Sequence, residues 1–367
     1  MEKNKVFYTP EQYASEQARQ MDSSRGPLVI ASCSSGTYLA EQTVQRYKQL
    51  SAESKSHSVP TYLKDIDHRF TDTETCVRLE HYVNGADVFL FQSLFNPLSG
   101  LSIDQNYMAF LIAVRAFREH GARHITGVLP YPAYARQDKP SAFKREPITA
   151  KLMADLALAA GIDRLIIWAP HSGQLRGFYN GITVYLLDPL TFFLDEFSRF
   201  EGRDDVIAVA PDAGASKFVT HFSRSLNINS AIASKYRPRA EEAIISEIIG
   251  DFRNKTTAII LDDMISNGGT IFALTKKLAL EKGIREVYIG VSHNLSVGSA
   301  PERLAELHAT CNLKQVVVTN SIPQAADFLA LPMVKMKCLS DIFSRTINRI
   351  HYHKSVSEVF KSRLQKE

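Results

Sequence analysis

The chain has 367 residues, 45% of them hydrophobic and 22% charged, with a net charge of +4; this predicts about two folded domains and argues against a disordered chain or a nucleic-acid- or membrane-binding surface. No apolar run approaches the ~20 residues that cross a bilayer, and the opening MEKNKVFYTP has no apolar signal core. Cys33, Cys76, Cys311 and Cys338 have neither CxxC nor metal-pair spacing, so a soluble, cytoplasmic protein with reduced thiols is expected.

In chain order, Thr9-Pro10-Glu11-Gln12 reads as a helix start. Thr9 can cap, Pro10 suits the first helical position and Gln12 completes a capping box. A short helix to about Met21 follows, and Asp22 to Gly26 read as a linker, so residues 1–26 form an N-terminal extension. From residue 27, short apolar runs alternate with helical segments. The runs are LVIAS (28–32), ADVFLFQS (86–93), HITGVLP (124–130), RLIIWA (164–169), DVIAVA (205–210), TTAIIL (256–261), REVYIGVS (285–292) and QVVVT (315–319). Such runs suit strands buried on both faces of a parallel sheet. Between two of them, segment 147–160 repeats Ile148, Leu152 and Leu156 on one helical face. Gly121, Gly161 and Gly283 each follow a helical segment and precede a strand, where glycine supplies a left-handed cap. This repeated unit predicts an α/β fold of two doubly wound parallel-sheet domains, 27–185 and 186–367, with the break near Thr183–Pro189. Ligands then lie beyond the carboxyl ends of the strands, and the informative residues should follow the apolar runs directly.

They do. HRFTDTE (68–74) places Phe70, Asp72 and Glu74 at alternate positions, which share one face if the segment is extended. A ring there can stack on a base, and carboxylates can accept from an exocyclic amine; core packing is an equal reading for Phe70. After a strand, VLPYPAYARQDK carries Arg136, Gln137 and Lys139, cations and an amide suited to polyphosphate and adenine. His171 and Asp212 end two other strands, a weak metal signal by spacing alone. SKYRPRAEE (234–242) holds Lys235, Arg237 and Arg239 in a Pro-containing stretch that reads as a basic loop. The most specific segment is AIILDDMISNGGT (258–270). Asp262 and Asp263 at a strand end can accept from paired sugar hydroxyls. Ser266, Asn267, Gly268, Gly269 and Thr270 offer N–H groups and hydroxyls at the start of a helix near Thr270, where a phosphate binds well.

This last segment resembles the phosphoribosyl diphosphate (PRPP) loop of type I phosphoribosyltransferases and PRPP synthetases. FTDTE and YARQDK closely resemble the ribose-phosphate pyrophosphokinase (PRPP synthetase) family, as do REPITAKLMADL, PDAGASK, VVVTNSIP and SVSEVF, over about residues 28–360. The resemblance implies two domains of the type I phosphoribosyltransferase kind, with the last helix packing back on the first. It also implies transfer of the β,γ-diphosphoryl group of ATP to the C1 hydroxyl of ribose 5-phosphate. Asp262 and Asp263 then hold the ribose hydroxyls and 266–270 the 5-phosphate. Residues 70–74 and 136–139 bind ATP across a subunit boundary, His171 and Asp212 bind Mg2+, and Lys235 and Arg237 lie on a mobile flap that closes over the phosphates. A homo-oligomer follows, commonly a hexamer in the family.

Several positions depart from the family pattern. Ala169-Pro170 stand where Asp-Leu precede the histidine, Arg176 replaces glutamine, Ile182 replaces proline and Lys139 replaces arginine. Ser266-Asn267 replace Asp-Thr, and KPSAFKR (139–145) differs from the usual regulatory loop. These leave two alternatives: a non-catalytic regulatory homologue that binds a true synthetase, or a diphosphokinase with another nucleotide or sugar phosphate. A PRPP-consuming transferase would leave FTDTE and ARQDK without a role.

Overall fold

The structure, a computed structural model, describes residues 9–11, 14–15, 23–56, 58–141, 143–239 and 242–360, with the backbone alone at 236–239 and 242–243. The expected helix from Thr9 to Met21 lies mostly outside the described residues; Pro10, Glu11, Ala14 and Ser15 are helical.

The first half runs β1 (Leu28–Ser32), α1 (Thr37–Glu53), β2 (Thr61–Leu63), β3 (Asp67–Arg69), β4 (Thr75–Val77), β5 (Asp87–Phe91), α2 (Ile103–Glu119), β6 (His124–Leu129), α3 (Thr149–Ala160), β7 (Arg164–Trp168) and β8 (Thr183–Leu187). Its six-stranded sheet has the order β2-β1-β5-β6-β7-β8, all parallel, and β3–β4 form a separate antiparallel hairpin. The second half runs α4 (Leu190–Glu196), β9 (Val206–Ala210), α5 (Ser216–Ser225), β10 (Asn229–Arg239), β11 (Glu242–Ile249), β12 (Thr257–Ile265), α6 (Gly269–Glu281), β13 (Glu286–Asn294), α7 (Ala300–Cys311), β14 (Leu313–Thr319), α8 (Ala326–Leu329), β15 (Val334–Lys337) and α9 (Ser340–His351). Its seven strands order as β11-β10-β9-β12-β13-β14-β15, parallel except for β10–β11. The expected strands are present because β1, β5 and β9 are buried end to end. Gly121, Gly161 and Gly283 adopt φ of 82°, 106° and 71° at the helix ends, conformations that cost glycine little.

The final helix returns to the first sheet. Phe343, Ile347 and Ile350 of α9 pack with Leu39, Val44 and Tyr47 of α1 over Ile30 and Phe91. Arg46 Nε meets Asp341 at 2.7 Å, and Ser344 Oγ donates to the Thr43 carbonyl at 2.8 Å. This tie makes the first half depend on a segment from the far end of the chain.

Two expectations are corrected. Asp22–Gly26 is not a linker where it is described: Ser23 and Arg25 are buried. Arg25 donates two hydrogen bonds to Asp87, at 2.7 and 2.9 Å, and His351 Nδ1 lies 2.9 Å from the same carboxylate. Ser23 Oγ donates to the His351 carbonyl at 2.6 Å. The second correction concerns α3, whose buried stripe is Ala150, Ala154, Ala157 and Ala160. Ile148, Leu152 and Leu156 are 41%, 53% and 39% exposed. Small residues let this helix pack closely, so Leu152 and Leu156 face outward in the single chain, while Met153 and Leu158 pack partly on the core.

Burial alone would raise the Asp87 carboxyl, but the hydrogen bonds from His351 and Arg25 outweigh it and hold the group below its usual value. Its stabilisation is therefore present above about pH 4 and is lost as pH falls through the folded-state value. Arg25→Met leaves the buried carboxylate short of a partner and should lower stability by about 3–5 kcal/mol in urea titrations at pH 7. The gap from wild type should narrow as pH falls below about 4; a gap that is the same in acid as at pH 7 would remove Asp87 from the explanation.

Candidate active site

The carboxyl ends of both sheets open on one cleft of about 670 Å³. His171 follows β7, Asp212 follows β9, Lys235 lies in β10, and Asp262 and Asp263 lie in β12. A parallel strand ends where its backbone groups and the next helix N-terminus meet solvent, which is why these polar side chains collect there.

β12 runs further than expected: Met264 and Ile265 continue the strand and pair with His293 and Asn294. Asp262 and Asp263 are half-buried in it. Desolvation, then the charges of Asp263 and Asp212, push the Asp262 carboxyl well above its ordinary range. For Asp263, burial acts upward too, but the hydrogen bond and charge of His171 outweigh it and hold this carboxyl low. His171 Nδ1 hydrogen-bonds the Asp263 carboxylate, which raises the imidazole against its own desolvation. Two adjacent aspartates thus shift in opposite directions because only one has the cation.

The loop to α6 is short. Gly268 takes φ +74° as the helix N-cap, and α6 begins at Gly269, one residue before the expected Thr270. Asn267 Oδ1 accepts from the Gly269 amide at 3.1 Å. Arg303 Nη1 donates to the Asn267 carbonyl at 2.8 Å, and the Val297 amide donates to the Ser266 carbonyl at 3.1 Å. Ser266 through Thr270 all line the cleft, so the helix start presents its N–H groups and the positive end of its dipole there.

Across the cleft, Asp212 Oδ1 accepts from the Gly214 and Ala215 amides at 3.0 and 3.3 Å, while Oδ2 lies 3.4 Å from Lys235 Nζ. The Lys235 side chain is only 11% exposed. Segment 234–239 is not the expected loop: it continues β10 and pairs with β11, with register shifts beside Lys235 and between Tyr236 and Arg239. The side chains of Arg237 and Arg239 lie outside the described residues.

Arg136 and Lys139 line the cleft; Gln137, Phe70, Asp72 and Glu74 do not. Gln137 Oε1 instead accepts from Thr149 Oγ1 at 2.6 Å. The 70–74 segment is a turn at the β3–β4 tip, not an extended run. The Thr73 amide donates to the Phe70 carbonyl at 3.0 Å and the Glu74 amide to Asp72 Oδ1 at 3.1 Å. Thr73 has φ +76°, so alternate side chains no longer share a face. Phe70 is 52% exposed. Asp138, within the 136–139 segment, lines the cleft as well, and so do Asp188 and Ser292, which were not expected there. Ser292 ends an apolar run and Asp188 follows one, whereas Arg303 sits in a helix with no local signal. Among the described residues, no three His, Cys, Asp or Glu side chains converge to hold a metal by themselves. The cleft therefore offers paired carboxylates for hydroxyls, a helix N-terminus for a phosphate, and Arg136, Lys139 and Lys235 for further anionic charge.

Comparison with known proteins identifies similar chains over most of the length. The model for the N-terminal domain of ribose phosphate pyrophosphokinase matches residues 28–161, and that for the phosphoribosyl synthetase-associated domain matches 207–361. The ribose-phosphate pyrophosphokinase of Caldanaerobacter subterraneus subsp. tengcongensis is 38% identical over 294 residues, 79% of this chain and 88% of that protein. The Mycoplasma pneumoniae protein of the same name is 35% identical over 298 residues, covering 81% and 88%. The crystal structure of phosphoribosylpyrophosphate synthetase from Mycobacterium smegmatis superposes with a TM-score of 0.75 at 28% identity, covering 88% of this chain and 98% of that one.

Gly268 has ordinary van der Waals room for a methyl group, its nearest neighbour being Ala300 Cα at 3.6 Å. Only its positive φ opposes a side chain. Gly268→Ala should therefore cost about 1–2 kcal/mol in thermal or urea unfolding without loss of the fold. No change in stability would mean that the loop does not hold this conformation.

Proposed function

We propose how this chain, which belongs to the ribose-phosphate pyrophosphokinase family, carries out the family's reaction. It is a ribose-phosphate diphosphokinase: the β,γ-diphosphoryl group of ATP passes to the C1 hydroxyl of ribose 5-phosphate, giving PRPP and AMP. In our reading Asp262 and Asp263 accept from the ribose hydroxyls, and Ser266, Asn267, Gly268, Gly269 and Thr270 take the 5-phosphate at the α6 N-terminus. Arg136 and Lys139 hold the triphosphate opposite. The O1–Pβ bond forms as the bond from Pβ to the bridging α-phosphate oxygen breaks; AMP leaves with that oxygen, and the C1 hydroxyl proton is released to water. Lys235 and Arg237 neutralise the charge that develops, since this reaction needs positioning and charge more than covalent help. The observation that carries the reading is that the acidic pair, the helix start and the cations line one cleft.

Magnesium fits the donor set. Among the described residues, carboxylate oxygens gather without a closed three-ligand cage, as suits an ion that keeps water and phosphate ligands. His171 and Asp212 would hold it, with Asp263 on Nδ1 leaving Nε2 as the ligating nitrogen. Bound there, it supplies charge neutralisation to the phosphates.

Phe70, Asp72, Glu74 and Gln137 complete an ATP site in a neighbouring copy, which makes the active form a homo-oligomer, in our reading a hexamer. Supporting this are the half-exposed Phe70 ring on its hairpin tip and the outward Ile148-Leu152-Leu156 stripe. We place the enzyme in the cytoplasm, consistent with four free cysteines. No helix among the described residues is long and apolar enough to cross a membrane. In our reading the two sheets are its two domains, with the break just after Leu187 rather than at the expected 185/186, since β8 pairs with β7 through Leu187.

An assay with ATP, ribose 5-phosphate and Mg2+, scored for PRPP and AMP, tests the whole reading; no product at any Mg2+ concentration would favour the regulatory homologue. Lys235→Ala should lower kcat about 100-fold or more with KM little changed; a loss confined to KM would assign the lysine to ground-state binding. Leu152→Glu with Leu156→Glu should shrink the assembly in light scattering and lower activity with it. A full-sized, fully active variant would remove this face from the interface.

A further inference from the structure

Ala169 adopts φ +43°, in the left-handed region, immediately before Pro170. Both facts are unfavourable: an alanine there is strained by about 1–3 kcal/mol, and a residue before proline prefers extended backbone. Such a conformation persists only where its surroundings impose it. Here both polar atoms of Ala169 are held from outside. Its amide donates to the Leu187 carbonyl of β8 at 2.9 Å. Its carbonyl lies 3.0 Å from His293 Nε2, on β13 of the other sheet. Ala169 is 3% exposed and His293 1%.

The His293 ring is itself fixed. A carbonyl only accepts, so Nε2 carries the proton, and Nδ1 accepts from Ser321 Oγ at 2.9 Å. The Ser292 carbonyl, which Ser321 Oγ also reaches, keeps the Thr319 hydroxyl at 2.6 Å. Tyr131 meets the ring edge-on, with centroids 5.1 Å apart. Burial pushes the imidazole down to about 4, so it stays neutral in this tautomer at ordinary pH. Two residues beyond the strained alanine, His171 reaches Asp263.

We propose that His293 is a positioning residue for His171: by holding the Ala169 carbonyl it keeps the Ala169-Pro170 turn in its left-handed form and aims His171 across the cleft at Asp263. This rests on the role given to His171 above and extends it. Where the family pattern has a carboxylate two residues before the histidine, this chain has Ala169 and no side chain able to orient anything. The orienting hydrogen bonds come instead from the opposite sheet, His293 on the backbone and Asp263 on the ring.

The test uses the full chain. His293→Leu should lower kcat about 10–100-fold, with KM for ATP and ribose 5-phosphate within about threefold of wild type. His293→Gln, which can still donate to the Ala169 carbonyl, should recover most of the loss, and His293→Asn, too short to reach, should not. Because His293 acts through His171, adding His293→Leu to His171→Ala should cause no further loss. Independently of activity, a crystal structure of His293→Leu should show Ala169 outside the left-handed region and His171 away from Asp263. The proposal is overturned if folded His293→Leu keeps its kcat, if the two losses multiply, or if the turn is unchanged in that crystal structure. Where His293→Leu does not fold, the contrast between the Gln and Asn variants decides in the same way. Full activity of His171→Ala would instead refute the role given to His171, and the crystal structure would still decide the positioning.

Discussion

The hydrogen bond between His171 and Asp263 joins the two sheets at the point where their strands end, and the chemistry of the cleft depends on that meeting. A single parallel sheet presents its strand ends to open solvent. Two sheets facing each other enclose those ends, so charges that would be screened in water act at short range. Asp212, Asp262 and Asp263 come together, and burial with mutual repulsion pushes Asp262 up while His171 holds Asp263 down. The cleft is thus divided into a carboxylate that resists ionisation and one that is paired, before any ligand adds charge.

The opposite ends of the first sheet are closed by other means. At the start of β5, Asp87 is completely buried with Arg25 and His351, residues from near the two ends of the chain. The α9 helix covers the adjoining face through Phe343, Ile347 and Ile350. Charge buried with its partners at the amino ends fixes the frame, because breaking such a set leaves an uncompensated ion. Charge left half-open at the carboxyl ends is available to substrates. One fold therefore uses ionic groups in two ways, distinguished by whether the partner is built in or must arrive.

What was legible in the sequence follows the same physics. Strands β1, β5, β6, β7, β9, β12, β13 and β14 could be read because burial on both faces makes them continuous apolar runs. β11, with Glu242 and Glu247 among its isoleucines, and β15, partly exposed, carry no such run. Periodicity located α3 but not its buried face: Ile148, Leu152 and Leu156 mark an apolar stripe, and nothing local says whether the same chain or another covers it. Arg25 looked like linker because its partner lies 62 residues away. In the site, 262–270 was readable because strand, acidic pair and helix start are contiguous. The contact of His293 with Ala169 spans 124 residues and left no local trace.

The departures from the family pattern also make sense by geometry, once each is placed. Asn267 stands where the family has threonine, and its Oδ1 caps the Gly269 amide while its carbonyl takes Arg303; a short side chain with one acceptor does that work whichever residue supplies it. Ser266 stands where the family has aspartate, in a cleft that already gathers Asp212, Asp262 and Asp263. A further carboxylate here would add to the charge that pushes Asp262 up and oppose a phosphate at the α6 N-terminus, whereas a hydroxyl can donate to it. Under the proposed site assignment, the substitutions keep the hydrogen bonds that shape the loop and lower the negative charge that a sugar phosphate would approach there.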